Sequence, residues 1–188
     1  GLAIYRDLGD KIGQATALEW LSANHKDIER ARDFSSESLR LYRELGHLSG
    51  ITNSLTHLAR LAIWMGDFSS PAPWLEEALS ISRQLGDQTS EDEILTSFGN
   101  LVYWQGDYGR AKAYYEEALI VCEKAGDHYQ YLWAHVNMAY AVLRQGDIHR
   151  ARELFEDSLR STQKAGLMIA LVFAVEGFTS LNVNQGQV

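Results

Sequence analysis

Side chains that ionise, ligate or attack are present in this chain, but not in patterns that do chemistry. The six histidines, His25, His47, His57, His128, His135 and His149, are scattered. None makes the i, i+4 histidine pair with an adjoining glutamate that a zinc-hydrolase helix needs. Glu76-Glu77, Glu116-Glu117 and Glu156-Asp157 resemble carboxylate pairs for acid–base work. Adjacent residues point to different sides of a helix, so such pairs do not converge on one substrate atom. Their regular recurrence marks a solvated face instead. Cys122, the single cysteine, falls on an apolar helical stripe and reads as a core thiol rather than a nucleophile. It allows no internal disulfide and fits a reducing, cytoplasmic compartment. His135 falls at a core position, where a buried, hydrogen-bonded imidazole is the simpler reading than a ligand. No phosphate loop, dinucleotide fingerprint or nucleophile elbow occurs. The sequence predicts neither an enzyme, nor a metal, nor a cofactor.

Composition narrows the partners. The 188 residues are 46% hydrophobic and 22% charged, with a net charge of −8. An acidic excess disfavours a phosphate backbone, so nucleic acid is not expected as a ligand. The longest apolar run, Leu167 to Val175, falls well short of the ~20 residues of a membrane span, and no membrane partner is expected. Only two prolines occur, which argues against a disordered linker or a proline-punctuated β-sandwich.

The elements that carry these residues are set by a repeat. Gly66-Asp67, Gly106-Asp107 and Gly146-Asp147 recur every 40 residues, Lys26-Asp27 opens the series and Gly186-Gln187 continues it. A second marker, Leu45-Gly46, Leu85-Gly86, Ala125-Gly126 and Ala165-Gly166, lies between them; its first instance, Leu8-Gly9, stands 37 residues before the next. Two markers per unit mean two helices per unit. After Asp107 the apolar positions Tyr108, Ala111, Tyr115, Ala118, Leu119 and Cys122 follow helical periodicity. Asp67, Asp107 and Asp147 sit where a carboxylate caps a helix N-terminus. Gly46, Gly86, Gly126 and Gly166 sit where a left-handed residue ends one. The second helix of the second unit is predicted to start late, with Ser70 as N-cap and Pro71 at its first position. The resulting organisation is one repeat domain over 1–188, with units of about 9–45, 46–85, 86–125 and 126–165 and a partial unit 166–188. Leu2 to Gly9 matches Leu39 to Gly46, so the chain reads as a fragment of a longer one, and the first unit is short by about one helical turn.

This unit resembles the tetratricopeptide repeat, in the 40-residue variety of ATPase-linked transcription regulators of the maltose-activator type, polarity adaptors and kinesin light chains. The family's core positions fall on Leu95, Phe98, Gly99, Val102, Ala111, Tyr115 and Ala118, and again on Met138, Ala139, Val142, Ala151, Phe155 and Ser158. Pro71, where the family prefers alanine, and Ser35, where it prefers a large aromatic, depart from the pattern. The resemblance implies an all-α, right-handed solenoid of antiparallel helix pairs whose first helices line a concave groove.

By the family's groove positions, counted back from each Gly-Asp marker, the resemblance implies a groove-facing set of Asn53, Thr56, Arg60, Ile63 and Trp64; Glu93, Thr96, Asn100, Tyr103 and Trp104; and Trp133, Val136, Tyr140, Leu143 and Arg144. In the last unit the same count gives Phe173, Glu176, Ser180, Val183 and Asn184. Tryptophan, tyrosine and arginine dominate binding hot spots because they bury much area with few rotors and keep a polar handle. The expectation is therefore a protein- or peptide-binding scaffold within a larger regulator, with an aromatic floor and two arginines suited to an acidic segment. The alternative is an inducer-binding sensor domain of an ATPase-linked regulator. The apolar face from Met168 to Val175 is expected to be covered, if need be by self-association of the terminal helix.

Overall fold

Glycine and aspartate place the element boundaries where the chain turns. The computed structural model describes residues 1–165 together with 176 and 177. Among the described residues every regular element is an α-helix. These are α1 (Leu2–Asp7), α2 (Lys11–Asn24), α3 (Ile28–Leu45), α4 (Leu48–Trp64) and α5 (Pro71–Leu85). They continue with α6 (Gln88–Trp104), α7 (Tyr108–Ala125), α8 (His128–Arg144) and α9 (Ile148–Ala165). The chain forms two compact units, Gly1–Ser97 and Phe98–Val188. In the first, α2 packs on α3, α3 on α4 and α4 on α5; in the second, α7 packs on α8 and α8 on α9. The all-α class and the helical hairpins expected from the repeat are thus what the structure shows.

The second helix of each hairpin ends as its glycine dictates. Gly46, Gly86 and Gly126 follow α3, α5 and α7 in the left-handed region, with φ of 63°, 66° and 71°. A side chain would be strained there. The helix starts are capped by carboxylates. Asp27 accepts from the N–H groups of Glu29 and Arg30, Asp107 from Arg110 and Asp147 from Arg150.

The start of α5 differs in detail. It begins at Pro71 with Ser70 at the N-cap position, as predicted, but the Ser70 side chain makes no capping bond. Ser70 has helical backbone angles, φ −81° and ψ −28°, not the extended geometry from which a serine reaches forward to the first turn. Asp67 takes up the free donors instead, accepting from the N–H groups of Ser69 and Ser70. Hydrogen bonds from Ser70 and Ser69 hold its carboxyl well below the ordinary carboxylate range. The first unit is also short as expected, α2 having 14 residues against 17 in α4.

The hairpins close around size-matched positions. Tyr115 on α7 is buried, its ring filling the space above Gly99, where a Cβ would lie 2.4 Å from the ring. Ser38, Ala78, Ala118 and Ser158 occupy one repeat position and are all fully buried, so only small side chains stand at that helix crossing. Where the serine is Ser158, its hydroxyl lies 2.8 Å from Nδ1 of His135. The half-buried His135 is therefore a hydrogen-bonded packing residue, and burial pushes its pKa down. Cys122 is buried.

No helix among the described residues is long and apolar enough to cross a membrane. Of the expected final helix only 176 and 177 are described, Glu176 exposed and Gly177 buried; Leu171, Val172 and Val175, on the face assigned to self-association, lie outside the described residues. So do Gly166 and the candidate groove positions Phe173, Ser180, Val183 and Asn184.

Candidate functional site

In the first unit, the candidate residues of α4 separate by depth. Asn53 is exposed. Thr56 is buried and donates its hydroxyl to the Thr52 carbonyl at 2.9 Å, a bond within its own helix. It offers a ligand no surface, which corrects the groove assignment made from its spacing, and Ile63 is likewise buried in the core. Arg60 and Trp64 lie one turn apart on the same helix face. Trp64 is 64% exposed, and the Arg60 guanidinium carbon sits 5.4 Å from the centre of its ring. Arg60 also donates from Nη1 to Oε1 of Glu93 on α6, both side chains being partly exposed. Thr96 is half-buried on the same helix as Glu93.

In the second unit, Asn100 accepts a 2.8 Å hydrogen bond from the hydroxyl of Tyr115, so its amide serves the core as much as the surface. Burial raises the Tyr115 pKa strongly, keeping this donor protonated. Tyr103 is half-buried and meets Trp104 and Tyr108 edge-on, at ring separations of 5.5 and 5.3 Å. Trp104 is 61% exposed. Arg144 donates from Nη2 to the Tyr108 hydroxyl at 2.7 Å and lies over that ring at 5.1 Å. Tyr140 turns its edge to Phe155 at 5.0 Å, and Trp133 meets Tyr129 at 6.3 Å. Val136 is buried in the core cluster of this unit and, like Thr56, is packing rather than surface.

The two arginines therefore behave alike. Each lies against an aromatic ring of its own unit, a cation–π arrangement worth ~0.5–1 kcal/mol when partly exposed. Neither is a bare cation: Arg60 shares its charge with Glu93, and Arg144 with a phenol oxygen. Tyr108 and Trp20 were missed by position counting. Trp20 is 65% exposed on α2, seven residues before Asp27, the same offset as Arg60 from Asp67. The signal was present, but the short first helix obscured the register. Among the described residues no cluster of histidine, cysteine and carboxylate side chains could hold a metal ion.

An array of short-turned helical hairpins that holds large aromatic side chains out to solvent at one repeat position defines a helical-repeat protein. Residues 90–164 match the tetratricopeptide repeat family. No curated protein matches it. Among solved structures it is similar to a Rap protein complexed with competence and sporulation factor, at 18% identity and TM-score 0.81 over 94% of this chain and 55% of that one. Aspartyl phosphate phosphatase F from Bacillus subtilis is similar at 18% identity and TM-score 0.80, over 94% of this chain and 51% of the other. A signal transduction ATPase with numerous domains from Pyrococcus horikoshii, which has a tetratricopeptide repeat sensor, gives 15% identity and TM-score 0.77 over 93% of this chain and 28% of its own. The chain thus spans about half the length of the first two. At these identities the likeness is one of fold.

Proposed function

We propose that this chain is a protein- or peptide-binding scaffold of a larger regulatory protein, working without catalysis of its own. One observation carries the reading. Trp64 and Trp104 stand at the same repeat position and expose 64% and 61% of their surface. Packing does not demand this: at that position Arg144 serves in the next repeat and Asn24 in the first. Exposed tryptophans in register are costly to solubility and are the residues that anchor interfaces. The Rap relative, solved with a competence and sporulation factor, and the sensor repeat of the ATPase support a recognition role on this fold.

Each unit offers an exposed tryptophan and an arginine that lies on an aromatic ring, Arg60 on Trp64 itself and Arg144 on Tyr108. Such a surface suits an extended segment with an apolar side chain next to an acidic one, since the guanidinium groups keep unused donors for a carboxylate. The test is selection of binders from a random dodecapeptide library on the whole chain. Affinity for those peptides is then measured on Trp64→Ala and Trp104→Ala variants. Loss of ~2 kcal/mol or more in binding for at least one variant, with thermal stability held, is the expected result. Selected peptides that bind both variants as well as the natural chain sink the proposal.

A further inference from the structure

The turn between α2 and α3 breaks the rule that the later turns obey. At Gly66, Gly106 and Gly146 the chain leaves the first helix through a left-handed glycine, with φ of 81°, 88° and 89°. The first unit has His25-Lys26 instead of a glycine, and His25 is extended, with φ −84° and ψ 132°. A long cationic side chain thus replaces a hydrogen atom at the repeat position next to the capping aspartate. Local departures from a repeat's own rule are where function is to be sought.

Beside this turn lies an open recess of about 300 Å³ between α2, α3 and α4. Ala31 and Leu61, both buried, give it an apolar base, and the exposed Trp64 flanks it. Lys26, His25 and Arg60 supply cationic or polar lining, and no carboxylate lines it. Two acids close to it already have partners. Asp27 accepts from the first turn of α3, and Glu93 pairs with Arg60. Lys26 has no acidic partner among the described residues and is exposed. In a chain of net charge −8, a recess with cations and no anion in its wall is the reverse of the average surface.

We infer that this recess is the subsite for one acidic residue of the bound peptide. The aspartate or glutamate carboxylate meets the Lys26 ammonium at the rim, and the neighbouring aliphatic or aromatic side chain lies on Ala31 and Leu61 against Trp64. This rests on the scaffold reading and adds to it a location and a side-chain class. Lys26 supplies the charge as a mobile point cation, while Arg60, held by Glu93, sets the shape of the wall.

The probes are the dodecapeptides selected on the whole chain. Enrichment of aspartate or glutamate next to a large apolar residue is expected. Lys26→Glu should weaken those peptides about tenfold and Lys26→Met less, with Lys26→Arg retaining binding, and the natural chain's affinity should fall with added salt. Lys26 is exposed at a turn, so all three variants should keep the natural thermal midpoint. Selected peptides without acidic enrichment, or with equal affinity for Lys26→Glu, overturn the subsite. If such peptides still lose affinity on Trp64→Ala or Trp104→Ala, the scaffold reading survives that failure. Selection of no peptide at all overturns both. Binding of a twelve-nucleotide single-stranded oligouridine that depends on Lys26 overturns the assignment to a peptide.

Discussion

The Ser35 hydroxyl on α3 lies 2.9 Å from Nδ1 of His57 on α4, and this contact replaces the aromatic packing expected at that repeat position. Twenty-two residues separate the two. The same separation joins Phe155 on α9 to Gly177, where a Cβ would lie 2.3 Å from the phenyl ring. A small residue faces a large one in the first pair, and a large residue faces a glycine in the last. By the same count the repeats between carry Leu75 with Ser97 and Tyr115 with Asn137, so bulk moves from one helix to the other along the chain. Ser22 completes the polar version: its hydroxyl donates to the Ala31 carbonyl at 2.6 Å and lies 2.8 Å from Ser35 and 3.0 Å from His57. With its proton so used, Ser22 accepts from its neighbours, which fixes Nδ1 of His57 as the protonated nitrogen.

The exchange predicts strong coupling between the two sites. Ser35→Phe alone overpacks against His57 and should destabilise by ~1–3 kcal/mol. His57→Gly alone leaves a cavity and removes the imidazole partner of Ser22 and Ser35, and should cost a similar amount, part of it the helix penalty of glycine, ~1 kcal/mol. The double variant recreates the Phe155–Gly177 arrangement and should be more stable than the sum of the singles by ~1 kcal/mol or more. Urea unfolding of the four proteins measures this, and additivity would refute the exchange.

Acid should weaken the fold through the same histidine. Burial, with the Arg60 charge adding to it, lowers the pKa of His57 from 6.5 to about 4, and His135 shifts in the same direction. The folded chain keeps these rings neutral while the unfolded chain takes up protons. Their contribution is therefore complete above about pH 6.5 and is lost as pH falls toward 4, with His57 giving a slope of up to ~1.4 kcal/mol per pH unit. Unfolding midpoints at several pH values in that window should show the slope in the natural chain and a smaller one in His57→Gln.

Two glycines should respond to alanine with opposite signs. An alanine Cβ at Gly99 would lie 2.4 Å from the Tyr115 ring, whereas at Gly109 the nearest atoms are 3.6 Å or more away. Gly99→Ala should cost ~1–3 kcal/mol by displacing a buried ring. Gly109→Ala, on the exposed start of α7, should stabilise by up to ~1 kcal/mol through helix propensity and a less flexible unfolded chain. Thermal shifts of the same sign would show that packing at Gly99 is looser than described.

What the sequence revealed depended on distance along the chain. Gly46, Gly86 and Gly126 announced their helix ends because a left-handed terminus is a local demand. Asp107 and Asp147 announced helix starts for the same reason, and Pro71 announced the delayed start of α5. The role of Asp67 in place of Ser70 needed backbone angles that no spacing supplies. Ser35 stood out as a departure, yet its compensation by His57 lies on another helix, and residue types alone do not say which side chains face each other there. The candidate groove shows the same limit. Offsets found the exposed Trp64 and Trp104 but also Thr56 and Val136, because one column of a helix runs from surface to interior as neighbouring helices cross it.

Glu93 competes with any acidic ligand for Arg60, and its removal supplies a separate check on ligand contacts in the first unit. The pair is partly exposed, with 36% and 40% of the two side chains accessible, and pairs of this kind contribute ~0–1 kcal/mol to stability. Glu93→Gln should therefore leave the unfolding midpoint almost unchanged. It releases the Arg60 guanidinium, still seated on Trp64, to bind a carboxylate through two donors rather than the ones Glu93 spares. Acidic peptides selected on the natural chain should then bind several-fold more tightly, and the same sequences with lysine in place of the acid should bind more weakly. Titration calorimetry on Glu93→Gln and Arg60→Gln separates the cases. A gain in the first with little loss in the second is expected where Lys26 holds the carboxylate and the released guanidinium reaches it as a second cation. A large loss in the second moves the carboxylate from Lys26 to Arg60. No change in either places it beyond the reach of that side chain.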